Sequence, residues 1–304
     1  MKISQWALKY SLMAPFSVSK LSENVYEWLT AELMGTQLGM SRKWCYWFRE
    51  HVLLCRRYAH INFFGKRIWL FQPGWSLAPV ILSRMATSSE TLVFEERKKL
   101  GRRYLEPALS EVNKVASIIV KSSNAPESNL LLLDELQNNQ EPFEILNMCR
   151  AKYITGSLDK LEPESADICF SMGRLEHFSQ EELSGLLDRM KSILVPGGIA
   201  SHIVDHRDHF WHYDKSIHCF HHLTFSEKKW KTLARGRKLY RNRLLEPDYI
   251  SLFNEAGFEV LASVHDLHKQ DAYNVDPRTF WGPFAELTPK DLEAAVSHFV
   301  LRLK

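Results

Sequence analysis

The sequence predicts an α/β chain: a seven-stranded, mostly parallel sheet with helices on both faces, preceded by a helical N-terminal extension. Three observations predict it. Short apolar runs of strand length recur along the chain. Amphipathic stretches of helical length separate most of them. Glycine and proline signals stand where one kind of element should stop and the next begin. Strands alternating with helices in this way bury both faces of a sheet.

Residues 1–64 form the extension, and residues 65–304 the main domain. In the extension Trp6, Leu8 and Leu12, then Leu21, Val25, Leu29 and Leu33, recur at roughly helical spacing. The stretch Arg42-Lys43-Trp44-Cys45-Tyr46-Trp47-Phe48-Arg49, followed by Arg56-Arg57, mixes bases with aromatics. That mixture suits a membrane surface. It suits better a helical pair packed on the main domain with a solvated basic face, since the apolar face is needed for packing anyway, and a lid over an active site is compatible with either.

From Lys66 onward the pattern changes. Ile68-Trp69-Leu70-Phe71 reads as a buried strand closed by Gln72-Pro73-Gly74, and Leu77 to Met85 as a helix with Ser76 as its cap. Thr91 to Phe94 is the second strand. Arg97 to Arg150 reads mainly helical, broken near Pro126 and Pro142, although Ala116 to Val120 also passes for a strand. Tyr153 to Thr155 and Ala166 to Ser171 are strands three and four. A helix from Gln180 to Leu194 stops at Pro196-Gly197-Gly198, and Ile199 to Val204 is strand five. Pro247 to Ala256 is helical up to Gly257; Phe258 to Leu261 and Ser297 to Leu303 complete the seven strands.

The totals exclude several classes. With 45% apolar and 25% charged residues the chain has the means to bury a core. A net charge of +3 is too small to argue for nucleic acid, and none is expected as a partner. Charged residues interrupt every apolar run before it reaches the length of a membrane span. Five scattered cysteines without a C-x-x-C pair predict a reducing, cytoplasmic setting with neither disulfides nor a structural zinc.

The passage Asp167-Ile-Cys-Phe-Ser-Met-Gly-Arg-Leu-Glu-His177, then Leu183 to Leu194, then Val195-Pro-Gly-Gly198, resembles class I S-adenosylmethionine (SAM)-dependent methyltransferases. Tyr240-Arg-Asn-Arg243, Tyr249 and Glu255-Ala-Gly-Phe258 are similar to the later part of bacterial members. The resemblance covers residues 65–304 and implies a Rossmann-like fold, SAM as cofactor and a methyl acceptor near His177. In the family the first strand ends in an acidic residue followed by a glycine loop; here Leu70 and Gln72 stand in those places and only Gly74 remains. Glu95, closing strand two, is placed for the ribose hydroxyls. Gly156-Ser157-Leu158-Asp159 replaces the common Gly-Asp pair, so Ser157 or Asp159 meets the adenine. Gln72, Gly74 and Ser171 complete the cofactor set that the resemblance implies.

His202, His206, His209, His212, His218, His221 and His222 crowd the region after strand five, interleaved with Asp205, Asp208 and Asp214. Three readings compete. One histidine is a general base, His206 or His209 beside His177; or His206, His209 and an aspartate bind a divalent metal; or these are surface and core histidines in a long loop. Arg207, Arg241 and Arg243 stand ready to hold an anionic group or to make ion pairs.

The expected function is therefore SAM-dependent methylation, at oxygen, of a small polar acceptor. The alternative is a methyltransferase fold that has lost SAM binding and acts as a non-catalytic partner, or turns its pocket to other chemistry. Leu70 and Gln72 motivate it.

Overall fold

The computed structural model describes residues 39–87, 89–139, 141–212, 214–234, 240–267 and 275–304, and before them only 10–12, 14–17, 19, 21, 22, 25, 26 and 29. Trp6, Leu8 and Leu33 of the expected N-terminal helices lie outside these residues. Leu12, Leu21 and Val25 are helical and exposed.

Seven strands form one sheet: β1 (Ile68–Phe71), β2 (Thr91–Glu95), β3 (Ala151–Thr155), β4 (Ala166–Met172), β5 (Leu194–Asp205), β6 (Phe258–Leu267) and β7 (Ala294–Leu303). Their order is β3-β2-β1-β4-β5-β7-β6. The first five run parallel, and β7 lies antiparallel between β5 and β6. The order reverses at β1, where the chain crosses to β4 on its other side. In such sheets ligands collect at the carboxyl edge near the switch point.

Helices α1 (Met40–Leu54), α2 (Ala78–Thr87) and α3 (Leu105–Ser123) cover one face. Two short helices, α4 (Leu131–Gln137) and α5 (Pro142–Met148), lead back to β3. The segment Ala116 to Val120 is helical, as the interior of an amphipathic helix. The opposite face is covered by α6 (Gln180–Ile193) and α8 (Glu246–Glu255); α7 (Glu227–Leu233) lies in the long connection between β5 and α8. No helix among the described residues is long and apolar enough to cross a membrane.

The sequence sets several of these boundaries directly. β1 is buried along its whole length, as a continuous apolar run in a parallel sheet should be. Ser179 caps α6: its hydroxyl accepts the Glu182 N–H while the Glu182 carboxylate accepts the Ser179 N–H. The stop at Pro196-Gly197-Gly198 works differently from expectation. β5 begins earlier, at Leu194, and the motif sits in an irregularity of the β4–β5 register between Ala166 and Ile168. A Cβ on Gly198 would lie 2.7 Å from the Val195 carbonyl oxygen, so only glycine fits there.

The boundary at residue 64 divides a continuous core. Phe48, Val52, Cys55 and Phe63 are fully buried or nearly so, and they share a cluster with Ile68, Leu70 and Phe170 of the sheet. Phe170 packs edge-on to Phe48 and face-to-face on His51. Burying one such side chain contributes about 2 kcal/mol. From Met40 onward the chain is thus part of the main domain's packing.

Candidate functional site

Two cavities open at the carboxyl edge of the sheet, on either side of the connections after β1 and β4. The larger, about 760 Å³, lies over the ends of β1, β2 and β3 against α6. Phe71, Phe94, Phe178 and Leu186 give it apolar walls, while Gln72, Glu96, Ser157 and Asp159 supply polar groups. Its size and lining suit a nucleoside.

Of the cofactor residues expected from sequence, Gln72, Ser157 and Asp159 line this cavity. The Ser157 hydroxyl donates to the Asp159 carboxylate at 2.8 Å. Gln72 takes a left-handed conformation with φ 51°, and its amide lies 3.4 Å from Glu96 Oε1.

Glu95 points elsewhere. It is fully buried, one carboxylate oxygen accepting the Gly74 N–H and the other lying 2.9 Å from Lys99 Nζ. The acid that lines the cavity at the end of β2 is its neighbour Glu96, which the sequence reading missed. β2 ends at Glu95, whose side chain is buried, and the bend at Glu96 carries the next acid to the cavity; the apolar pattern did not say which one reaches it.

Ser171 is a second correction. It is fully buried, with its hydroxyl 2.8 Å from His202 Nδ1, and contributes nothing to the cavity wall.

The loop after β1 is tied to the segment after β4. Leu70 is packed in the core. Gly74 has φ +86°, and a Cβ there would meet Arg174 Nη2 at 2.9 Å. The Arg174 Nε donates to the Gln72 carbonyl at 2.7 Å. Arg174 thus stands between the first cavity and a second one.

The second cavity, about 400 Å³, is enclosed by α1 and the segments after β4 and β5. Lys43, Trp44 and Trp47 of α1 form one wall, and His177, His209 and His212 part of the other. Glu176, Asp205 and Arg241 form its floor and are almost completely buried. Arg241 pairs with Glu176 at 3.1 Å, and Arg207 grips Asp205 through two contacts of 2.7 and 2.8 Å. Burial pushes the Glu176 carboxyl upward, opposed by Arg241. Burial also acts to raise Asp205, but hydrogen bonds from Arg207 and His212 overcome it and hold that group well below the usual range.

The histidines of this cavity are polarised by their partners. His177 Nδ1 lies 3.2 Å from the Tyr240 carbonyl, which fixes it as the donor and leaves the lone pair on Nε2. His209 Nδ1 accepts from Arg241 at 2.9 Å, so its Nε2 carries the hydrogen. Burial and the adjacent Arg241 hold His209 neutral, far below its ordinary pKa. The two rings meet edge-on at 5.5 Å. His177 is therefore arranged to accept a proton and His209 to donate a hydrogen bond.

His206, the third expected catalytic histidine, does not join them. Its Nδ1 faces the Leu244 carbonyl at 3.1 Å and its Nε2 the Ser297 hydroxyl at 2.9 Å, so both ring nitrogens are committed inside the core. The same commitment removes it from any metal set. No group of three or more His, Cys, Asp and Glu among the described residues is arranged to hold a metal ion. His202 and His222 are buried, and His218 and His221 pack on Phe280 and Phe225. Arg243 pairs with Glu227.

No protein-family model matches this chain, and no curated protein matches it. Solved structures do. A SAM-dependent methyltransferase from Methanosarcina mazei is 10% identical with a TM-score of 0.46, over 82% of this chain and 96% of the other. A second, from Mesorhizobium loti, is 12% identical with a TM-score of 0.41, over 80% and 93% of the two chains. The cyclase SpnF is 12% identical with a TM-score of 0.43, over 84% and 81%. Overlaps this loose carry no argument about activity, which is decided by the site. By its strand order and its antiparallel seventh strand the chain has a Rossmann-like α/β fold, with ligand-sized cavities at its carboxyl edge.

Proposed function

We propose that this chain is a SAM-dependent methyltransferase whose small polar acceptor binds in the cavity formed by α1 and the segments after β4 and β5. The observation that carries this reading is the pairing of two unlike cavities. A partly apolar one suited to a nucleoside adjoins a buried polar one, and the Gln72–Arg174 hydrogen bond lies between them.

The residues fit the cofactor at its nucleoside end. Phe71, Phe94, Phe178 and Leu186 would cover the adenine, Ser157 and Asp159 would meet its polar edge, and Glu96 would take the ribose hydroxyls. When bound, SAM supplies a methyl group made electrophilic by its sulfonium.

This chain's own residues align the acceptor and manage its proton. His177 Nε2 receives the proton of an acceptor hydroxyl, which favours transfer to oxygen. The His209 Nε2–H orients the acceptor. The buried Glu176–Arg241 pair keeps the floor rigid without adding net charge.

A second reading has a specific observation behind it. Leu70 cannot accept from the cofactor's ammonium group, and the Gln72 carbonyl beside it is already taken by Arg174. A fold that has given up SAM for a partner role or other chemistry would have this loop.

Calorimetric titration with SAM and its demethylated product separates the two. Micromolar binding that Glu96→Ala weakens by about tenfold or more supports the methyltransferase. No binding at millimolar ligand by demonstrably folded protein refutes it and leaves the second reading. Glu96→Ala serves better than Glu95→Ala, which would strip the carboxylate that holds the Gly74 loop.

A further inference from the structure

We infer that the second cavity takes a small acceptor bearing a carboxylate, held beside Trp44 and Trp47 with its charge met by Lys43 and Arg174. This deepens the reading of that cavity as the acceptor site and rests on it.

The charge balance of the lining leads there. Its two buried carboxylates are each neutralised by an arginine, Glu176 by Arg241 and Asp205 by Arg207. Arg241 and Arg207, two of the arginines first considered for an anion, are thereby engaged. Two cations remain on the wall: Lys43 and Arg174 make no ion pair among the described residues, and both are half-buried. Lys43 Nζ lies 3.9 Å from the centre of the Trp47 ring, and Arg174 Cζ 5.9 Å from that of Trp44. A cation held over an aromatic ring in a partly desolvated pocket keeps its charge directed at whatever enters.

The shape and the remaining polar atoms narrow the class. Trp44 and Trp47 meet edge-on at 5.3 Å, and the few ring atoms they leave exposed make that wall apolar. The guanidinium of Arg174 matches the planar fork of a carboxylate. In the floor, Glu176 Oε2 and Arg241 Nε have no hydrogen-bond partner among the described residues although both residues are almost wholly buried. Native proteins seldom leave such atoms unpaired, and a small turn of either side chain toward the cavity it lines would let a ligand hydroxyl, donor and acceptor at once, satisfy them.

The test uses the full-length protein without cofactor, titrated with 4-hydroxybenzoate and with the uncharged 4-hydroxybenzamide, followed by tryptophan fluorescence and calorimetry. The acid should bind about tenfold more tightly than the amide, and Lys43→Met or Arg174→Gln should each remove most of that preference. Both substituted side chains are half-buried at the cavity wall, and thermal melts check that the variants fold. If a variant does not fold, the acid-to-amide ratio of the wild type still decides. Equal binding of acid and amide overturns the inference, as does the absence of acid binding at millimolar concentration. Acid selectivity in a protein that does not bind SAM would refute the methyltransferase and leave the anion site standing. SAM binding without acid selectivity would do the reverse.

Discussion

Acid should destabilise this protein steeply, and His202 permits the size of the effect to be worked out. The residue lies on β5 directly opposite Ser171 of β4, fully buried, stacked on Phe253 and hydrogen-bonded to the serine hydroxyl. Burial drives its pKa from 6.5 down to about 3. Because the folded value lies below the unfolded one, the unfolded chain binds the proton first as pH falls. The stability associated with neutral His202 is therefore complete above about pH 6.5 and is lost progressively as pH drops toward 3. At pH 5 the loss is about 1.5 units of pH at roughly 1.4 kcal/mol each, close to 2 kcal/mol. His51, His206 and His222, which are buried, and the half-buried His209 have their pKa values lowered and act in the same direction. Against a total stability of about 5–15 kcal/mol the His202 loss alone is a large fraction, and the raised carboxyls of Asp208 and Glu176 oppose it in part. The assay is urea unfolding at pH 7 and pH 5 for the wild type and for the double variant Ser171→Ala/His202→Phe, which removes both polar partners while keeping a ring against Phe253. The variant should lose about 2 kcal/mol less between the two pH values. An identical loss in both proteins would refute the idea that His202 is held neutral by burial.

Three further outcomes are expected. His177→Gln should abolish most turnover with little change in melting temperature, whereas His206→Gln should cost about 1–3 kcal/mol of stability by disturbing the Leu244 and Ser297 contacts; the reverse pattern in paired activity and melting measurements would exchange their roles. All five cysteines are buried, and burial lifts the thiols of Cys45, Cys55 and Cys149 to about 12, so a thiol reagent should label none in the native protein and five in denaturant. Fast labelling of even one thiol before unfolding would contradict that packing. Gly198→Ala should lower stability by about 1–3 kcal/mol, read from the urea midpoint, because its Cβ has no room beside the Val195 carbonyl; an unchanged midpoint would show that the backbone there gives way.

Much of the fold was legible because its signals are local. Each of the seven strands was found by its apolar run, and α6 by its helical stretch and the Pro-Gly-Gly stop beyond it. The end strands were read short: β6 extends to Leu267 and β7 starts at Ala294, where half-polar stretches such as Ser263-Val264-His265 gain strand geometry from pairing rather than from composition. The aromatic and basic helix Met40–Leu54 was set apart as an extension because its apolar face shows only that it packs, not on what.

The histidines mark the same limit more sharply. The sequence by itself determined that this is an α/β chain, that its chemistry belongs at the carboxyl edge, and that histidines and acids gather there, because side-chain periodicity and strand ends are properties of consecutive residues. Only the tertiary structure decided which of them face a cavity. His177 and His209 meet across two loops, while His51, His202 and His206 turn inward to the hydroxyls of Ser201, Ser171 and Ser297. Glu96 rather than Glu95 reaches the nucleoside-sized cavity, and Lys43 and Arg174, 131 positions apart, line the same pocket. The physical reason is that partnership is set by distance in space. A buried polar group goes wherever its hydrogen bond can be made, and no spacing along the chain records where that is.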